Sequence, residues 1–208
     1  MNKHLLPALK ATIVLAVLTG LIFPALITLI AQIVFPEQAN GSLLRDKGGQ
    51  VIGSRLIAQQ FLQAKYFHAR PSAAGAGYKG EASGGTNLGP TSSKLILGVA
   101  DDPASKDIDE SYAGIKQLAE QYRSENMLAS DEKVPVDAVT RSASGLDPDI
   151  SFANASLQAR RVARARAMSE QDLLQLVRAQ TASRQFDMFG EPRVNVLMLN
   201  LALDQAKQ

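Results

Sequence analysis

The chain has 208 residues, with 22 basic and 20 acidic side chains and a formal net charge of +2. It contains no cysteine and only two histidines, His4 and His68, which excludes disulfide scaffolds, thiolate metal sites, thiol catalysis and multi-histidine metal sites. The length fits one domain of about 150 residues with an appendage. The charges nearly cancel, so no basic surplus indicates nucleic acid as a partner.

The first predicted element is a membrane helix, because no charged residue lies between Lys10 and Glu37. As a helix, residues 11–35 would be about 37 Å long, enough to cross a hydrocarbon core of about 30 Å. A cleaved signal peptide is the alternative, but its apolar part is about 7–15 residues long and ends at a small-residue site. We therefore expect an anchor in contact with membrane lipid and kinked at Pro24.

The flanking charges predict the orientation of this helix. Lys3 and Lys10 precede it, whereas Glu37 and then Arg45 follow it. Because basic residues stay on the cytoplasmic side, we expect residues 1–10 in the cytoplasm, residues 11–35 in the membrane and one extracytoplasmic domain over residues 36–208.

Next in the chain come a hairpin and a long loop. Gly48 and Gly49 supply a turn between two short strands, and residues 55–61 look helical. Residues 66–92 include six of the chain's 15 glycines, a composition that predicts a loop, and ordered loops of this length are usually functional.

The remaining segments predict helices and one further strand. Apolar spacing indicates helices over residues 93–98 and 104–126. Ser151 and Ser169 can each cap a helix. Residues 193–203 are strongly apolar and could be a strand that passes into a helix, but periodicity does not decide their state. The predicted fold class is α+β: a single N-terminal transmembrane helix followed by one extracytoplasmic domain with a small sheet and several helices.

The Gly-rich loop offers weak candidates for binding an anion through backbone N–H groups. It lacks the Gly-Lys-Ser/Thr of a Walker loop and the strand-turn-helix context of a dinucleotide site, so a structural loop is the favoured interpretation. The candidate residues are Ser83, Gly84, Gly85, Thr86 and Asn87.

Isolated polar residues give no catalytic set. His68 could act as a base or a pH-sensitive contact, but a hydrogen-bonded loop histidine is favoured. Asp147 and Asp149 fit turn chemistry better than a metal site. A cluster of four arginines is predicted to form a solvated face or salt bridges to a partner: Arg160, Arg161, Arg164 and Arg166.

Seven short motifs in register resemble the C subunit of the Kdp potassium-transporting P-type ATPase of bacteria. The similarity covers nearly the whole chain, including the N-terminal helix. One departure is Asp149, where many family members place a histidine. The motifs are Asn40–Leu43, Gly53–Phe61, Tyr66–Ala73, Ser83–Leu88, Val134–Pro135, Val139–Asp147 and Glu191–Asp204.

This resemblance implies a non-catalytic accessory subunit of a high-affinity potassium uptake pump in the bacterial inner membrane, which would place residues 36–208 in the periplasm. The implied partners are a channel-like potassium-binding subunit, a P-type ATPase subunit and a small single-helix subunit. The chain would aid assembly and act as a catalytic chaperone that raises the ATP affinity of the ATPase subunit, with no cofactor of its own. The complex would bind ATP, and this subunit would assist that binding.

A periplasmic domain would be separated from ATP by the membrane, so such an effect would be allosteric, or the domain would gate potassium entry. The alternatives from other classes are a membrane-anchored periplasmic hydrolase that uses His68 and an anion-binding module. The residues predicted to face partners are Gly20, Pro24, His68, Arg70, Pro71, Ser144, Gly145 and Asp147.

Overall fold

The computed structural model describes residues 3–100 and 111–206, and the chain divides into two compact units between Ser54 and Arg55. The first unit begins with an apolar helix, Leu5–Val34, that is long and apolar enough to cross a membrane. None of its side chains is buried within the protein. The helix begins six residues before the predicted start, because Pro7 is tolerated in a first turn and Lys10 can extend its aliphatic stem along the apolar surface.

This long helix consists of α1 (Leu5–Val17), a π-helical stretch (Leu18–Ile22) and α2 (Phe23–Val34). The π-helical stretch ends just before Pro24, whose missing N–H removes one bond of the regular ladder. The longer hydrogen-bond spacing of the π-helical stretch accommodates the proline within the continuous helix Leu5–Val34.

A short helix and the predicted hairpin complete the first unit. The helix is α3 (Pro36–Ala39), and β1 (Leu43–Arg45) pairs with β2 (Val51–Ser54) in antiparallel fashion. The Asp46 carboxylate accepts N–H bonds from Gly48 at 2.8 Å and Gln50 at 2.9 Å, and Gly49 has φ +82°. Aspartate and glycine thus close the turn as the sequence predicts.

The second unit is built on a small antiparallel sheet in the order β3-β5-β4. Its strands are β3 (Asp149–Ser151), β4 (Thr181–Ala182) and β5 (Arg193–Asn195). The helices of this unit are α4 (Ser93–Leu97), α5 (Ile115–Asn126), α6 (Val136–Val139), α7 (Phe152–Arg166), α8 (Glu170–Ala179) and α9 (Val196–Gln205), with a 3₁₀ turn at Gly80–Ala82.

Two predicted helix starts are confirmed by their caps. The side chain of Ser151 accepts the N–H of Asn154, and that of Ser169 accepts the N–H of Gln171. Asn195 ends β5 and caps α9 through the N–H of Met198, so the chain passes there from strand to helix, the possibility that apolar periodicity left open. The caps aim the apolar faces of α7, α8 and α9 at one core that contains Phe67, Ile150, Val162, Leu173, Val194 and Leu199.

Two predicted helices differ from the structure. Residues 55–61 form a turn and an extended stretch rather than a helix, because Ala58 donates its N–H to the distant carbonyl of Leu146. The predicted helix 104–126 is helical only from Ile115 among the described residues; its part before residue 111 lies outside them. Tyr112 pairs instead with Val99 in a β-bridge, which holds the chain extended before α5.

Candidate interaction site

The core of the second unit includes an irregular segment, residues 64–68, that polar side chains hold in place. Asn200 bonds both main-chain groups of Phe67, at 2.9 and 3.0 Å. Gln158 does the same for His68, at 2.7 and 3.1 Å. A carboxamide offers one acceptor and N–H donors as a peptide group does, so these two side chains replace a neighbouring strand. Phe67 is consequently fully buried.

Arg161 completes this arrangement from helix α7. Its guanidinium donates to the carbonyls of Ala64 and Tyr66 at 2.7 and 3.0 Å, and to the side chains of Asn126 and Gln158 at 3.0 and 2.9 Å. Burial lowers the pKa of Arg161, against the opposing influence of Glu125. Because this cation is enclosed by oxygen acceptors, it organises the interior of the unit.

The prediction that all four clustered arginines form a solvated or partner-facing surface is therefore wrong. Arg161 and Arg166 are both buried, whereas Arg160 and Arg164 are exposed as predicted. Arg166 donates to Lys65 O at 2.8 Å and forms a 2.6 Å salt bridge with Asp204. The helical period separates the four arginines into two inward and two outward positions.

His68 lies at the rim of a cavity of about 240 Å³. Its Nδ1 is 3.7 Å from the Glu125 carboxylate, and its Nε2 is 3.3 Å from the carbonyl of Gln63. The hydrogen bond with His68 is the main cause that lowers the pKa of Glu125. Pro71 lines the same cavity. The structure thus gives His68 the hydrogen-bonded loop position that the sequence favours.

Arg70 and Asp147 join two of the predicted loops. Arg70 Nη1 lies 2.8 Å from Asp147 Oδ2, and its Nε and Nη2 donate to the carbonyl of Thr140 at 3.3 Å. Asp147 also accepts the N–H of Asp149 at 3.0 Å. Both partners of this ion pair are partly shielded from water, so the pair fixes the register of the loops more firmly than an exposed pair would.

Ser72 and the loop around Gly145 form a second junction. The Ser72 hydroxyl donates to Gly145 O at 2.6 Å and accepts the N–H groups of Ala74 and Tyr78. The Tyr78 hydroxyl donates to Arg70 O at 2.7 Å, and burial raises the pKa of Tyr78 to about 12. The bond from Ser72 to Gly145 joins two loops, and the bonds with Ala74, Tyr78 and Arg70 close residues 70–78 on themselves, so the two loops hold each other in a fixed arrangement.

The Gly-rich candidates pack against this junction. Gly84 N–H and the Ser83 hydroxyl both donate to Ser144 O, at 2.9 and 3.0 Å. Gly145 has φ +66°, and a Cβ there would lie 2.6 Å from Gly84 O, while a Cβ on Gly85 would meet Ala143 O at 2.9 Å. The N–H of Gly84 is thus occupied by a carbonyl and is not available to an anion.

The structure brings most of the predicted site residues into one region of the second unit. His68, Arg70, Pro71, Ser144, Gly145 and Asp147 are joined there with Ser83, Gly84 and Gly85 by the contacts above. Thr86 and Asn87 follow on the same loop, where Asn87 adopts a left-handed φ of +53°. Gly20 and Pro24 belong to the first unit.

Sequence reasoning missed Gln158 and Asn200, and it assigned Arg161 to an exposed cluster, although all three bond the main chain of residues 64–68. A helical projection of α7 offers the signal, since Asn154, Gln158 and Arg161 recur at steps of four and three residues beside the stripe of Ala155, Ala159 and Val162. Polar residues repeated at the edge of an apolar stripe indicate a buried hydrogen-bonding face rather than solvent.

The charges of the region are paired rather than arranged around an open centre. Among the described residues, no group of three or more His, Cys, Asp or Glu could hold a metal ion. Asp149 pairs with Arg193 at 3.0 Å, although burial raises the pKa of Asp149. The arrangement suits recognition by a complementary surface, because its groups are fixed and satisfied.

Comparisons with known proteins give one consistent result. A family model described as the c chain of the K+-transporting ATPase matches residues 5–205. A potassium-transporting ATPase KdpC subunit of Mycobacterium tuberculosis is 49% identical over 205 residues, covering 99% of this chain and all of the relative. The KdpC subunits of Gemmatimonas aurantiaca and Caulobacter vibrioides are 49% and 48% identical, covering 98% of this chain and 94% of each relative.

Proposed function

Because this chain belongs to the KdpC family, and is therefore an accessory subunit of a K+-transporting ATPase complex whose ATPase activity lies in a partner, we propose that it raises the ATP affinity of that partner by stabilising one conformation of the pump. The family match confirms the resemblance on which the accessory role was predicted. The chaperone-like role and its mechanism are the proposal.

The proposed partners are a channel-like potassium-binding subunit, a P-type ATPase subunit and a small single-helix subunit. The helix Leu5–Val34 lies in the membrane with lipid around it and packs on a partner at Thr19 and Gly20. Thr19 satisfies its hydroxyl on Leu15 O at 2.8 Å, and no atom lies within 4 Å of a Cβ built on Gly20. A small surface of this kind allows close approach of a second helix.

In the proposed topology, the N-terminus is cytoplasmic and the second unit is periplasmic. Lys3 and Lys10 support it through the bias of basic residues toward the cytoplasm. The domain then has no access to cytoplasmic ATP, and its effect on nucleotide affinity is a coupling between distant sites.

One observation carries the indirect mechanism: the Gly-rich loop is closed by its own neighbours. Gly84 N–H donates to Ser144 O, and Gly145 fits against Gly84 without room for a side chain. A closed, rigid surface can bind one pump conformation better than another, and such differential binding is sufficient to shift the equilibrium. This argues against the anion-binding alternative at residues 83–87.

Topology is tested by cysteine labelling in cells, because the chain has no cysteine of its own. Ser130→Cys lies on an exposed turn between α5 and α6, and His4→Cys lies exposed before α1. With a permeabilised outer membrane and a reagent that cannot cross the inner membrane, we expect Ser130→Cys to react and His4→Cys to be protected until lysis. The opposite pattern would place the domain in the cytoplasm.

The coupling is tested on the purified pump with and without this chain. Typical coupling free energies correspond to about 5–150-fold in affinity, so we expect the Michaelis constant for ATP to rise by a factor in this range when the chain is omitted. A photoreactive ATP analogue should label the ATPase subunit and not this chain. Labelling at residues 83–87 would show direct contact and refute the indirect mechanism.

A further inference from the structure

A loop between β4 and β5 carries a concentration of exposed apolar side chains, here called the apolar tip (residues 184–191). Phe186 is 88% exposed, Met188 71% and Phe189 62%. Large apolar residues are singly exposed in most proteins, but a contiguous group on a protruding loop marks an interaction surface.

The other phenylalanines of the second unit behave differently. Phe67 is fully buried, and Phe61 and Phe152 pack against the same core. The chain has seven phenylalanines and no tryptophan. Two of these phenylalanines lie exposed to water on one loop, where they add no buried apolar area to the core. Aromatic side chains and methionine are the types enriched at the centres of protein interfaces.

Hydrogen bonds among its own residues hold the apolar tip in shape. Gln185 and Phe189 exchange N–H···O bonds, both of 2.9 Å. Arg184 Nη2 bonds both carboxylate oxygens of Glu191, at 2.9 and 2.7 Å. A fixed frame lowers the entropy that must be lost when the side chains are buried against a partner.

Backbone strain adds to this picture. Phe186 and Asp187 have φ +54° and +56°, a left-handed conformation that a bulky residue rarely adopts. Aspartate, like glycine and asparagine, adopts this conformation comparatively easily, so Phe186 is the strained position of the two. Strain that persists at an exposed tip points to selection for what the tip presents rather than for stability.

We propose that the apolar tip docks into an apolar pocket on another subunit of the same pump, and that a lysine or arginine of that subunit lies opposite Asp187. The inference rests on the proposed function in one respect: it needs this chain to be assembled in the pump. Phe186 and Phe189 supply the apolar contact area, and the Asp187 carboxylate makes the contact specific for a pocket with a lysine or arginine beside it.

The charge of Asp187 distinguishes a pump subunit from the two other surfaces that the tip could contact, an anionic lipid surface and a second copy of this chain. Asp187 forms no ion pair with any of the residues that the structure describes, so it is available to a cation of the partner. An anionic lipid surface would repel it, because Arg184, the basic residue of the tip, is already paired with both carboxylate oxygens of Glu191, which leaves the Asp187 carboxylate as the unbalanced charge of the tip. A second copy in a symmetric tip-to-tip contact would oppose two Asp187 carboxylates.

Size favours a partner within the same membrane complex. Three side chains form an interface far below the roughly 1,200–2,000 Å² of a stable free-standing complex. A helix anchored in the same membrane assembly raises the effective concentration of the tip, and a small contact is then enough for specific binding.

The partner is identified with a photo-crosslinking benzophenone amino acid at position 186 of the full chain, in the assembled pump in native membranes. Leu62, which is 77% exposed elsewhere on the second unit, receives the same group as a matched control. We expect position 186 to crosslink to one pump subunit, within an apolar pocket beside a lysine or arginine. The same group at position 62 should not crosslink within that pocket. Crosslinks to lipid, to a second copy, or to nothing would overturn the proposal.

A second measurement asks whether the contact stabilises the assembly. The Phe186→Ser, Phe189→Ser double variant should dissociate from the detergent-solubilised pump at least about tenfold faster, as expected for the loss of aromatic anchors. Asp187→Lys should also accelerate release, whereas Leu62→Ser should not. Unchanged release of both tip variants would overturn the proposal.

The Michaelis constant for ATP separates this inference from the proposed function. If omission of the whole chain raises the constant while tip variants and crosslinks show no contact, the tip assignment is wrong and the accessory mechanism stands. If omission leaves the constant unchanged while position 186 crosslinks to a pump subunit, the contact stands and the effect on ATP affinity is wrong.

Discussion

Two segments without helices or regular sheet strands have opposite constructions. Residues 64–68 include the buried Phe67, and the side chains of Gln158, Arg161 and Asn200 bond their main chain. The apolar tip, residues 184–191, exposes its aromatic side chains and is closed by bonds among its own residues. The first segment depends on the rest of the domain for its shape, whereas the second keeps its shape locally and presents apolar surface outward.

This difference separates stability from recognition within one domain. Changes to the side chains that support residues 64–68 should destabilise the fold, because they leave buried main-chain polar groups without partners. Changes at the tip should leave folding intact and affect assembly. The four predictions below test this separation, in order of decreasing effect on the free energy of unfolding.

The largest effect is expected for Arg161→Ala. The substitution leaves the carbonyls of Ala64 and Tyr66 without their donor, and we expect a loss of about 3–5 kcal/mol in the free energy of unfolding. Urea denaturation of the full chain in detergent measures it. Arg160→Ala, one residue away on the exposed face of α7, should change the free energy by less than about 0.5 kcal/mol. Equal losses for the two variants would contradict the structural role of Arg161.

A smaller loss is expected for Gly145→Ala. Its φ of +66° disfavours a side chain, and the new Cβ would meet Gly84 O at 2.6 Å and Ala74 N at 2.7 Å. We expect about 1–3 kcal/mol of destabilisation. Gly84→Ala is the matched control, because no atom lies within 4 Å of a Cβ there. If both alanines are tolerated, the close approach of these loops is not required.

The pH dependence of stability should include a small contribution from Glu125. The hydrogen bond with His68 lowers the pKa of Glu125 from its usual 4.5, so its contribution is present above that value and is lost as pH falls through the lowered folded-state pKa. Because Glu125 is more than a third exposed, the effect should stay below about 1 kcal/mol. Acid denaturation of Glu125→Gln should show a shallower loss of stability than the parent; an identical curve would refute the contribution.

The smallest effect on folding is expected at the tip. Phe186→Ser with Phe189→Ser should change the free energy of unfolding by less than about 0.5 kcal/mol, since both side chains are already in water. Phe67→Ala, the buried counterpart, should lose about 3–5 kcal/mol. A large loss from the tip variant would show that these residues support the fold and would remove the distinction between the two segments.

The elements with local signals could be predicted from the sequence. Ser151, Ser169 and the Gly48-Gly49 turn act within a few residues of themselves, and each has the predicted role. The helical interpretation of residues 55–61 is wrong because the decisive bond, Ala58 N–H to Leu146 O, spans 88 positions along the chain. Local propensity carries no information about such a contact.

The candidate site shows the same limit. Arg70, Ser144, Gly145 and Asp147 could be selected because glycine, serine and aspartate in long loops indicate ordered structure. Their mutual contacts could not be predicted, since each joins loops about 60–80 residues apart. The arginine cluster misleads for a different reason: charge suggests solvent, and only the helical period places Arg161 and Arg166 inward.

The pairing of Gln158 and Asn200 with the main chain of residues 67 and 68 has a consequence for how this domain can vary. These carboxamides bond main-chain N–H and C=O groups, so the bonds themselves do not depend on which side chains residues 67 and 68 carry. The backbone path of this segment is thus fixed by Gln158 and Asn200, which lie on two helices far away in the chain. His68 could be exchanged with the backbone path retained, whereas a change at Gln158 or Asn200 would erase the path itself.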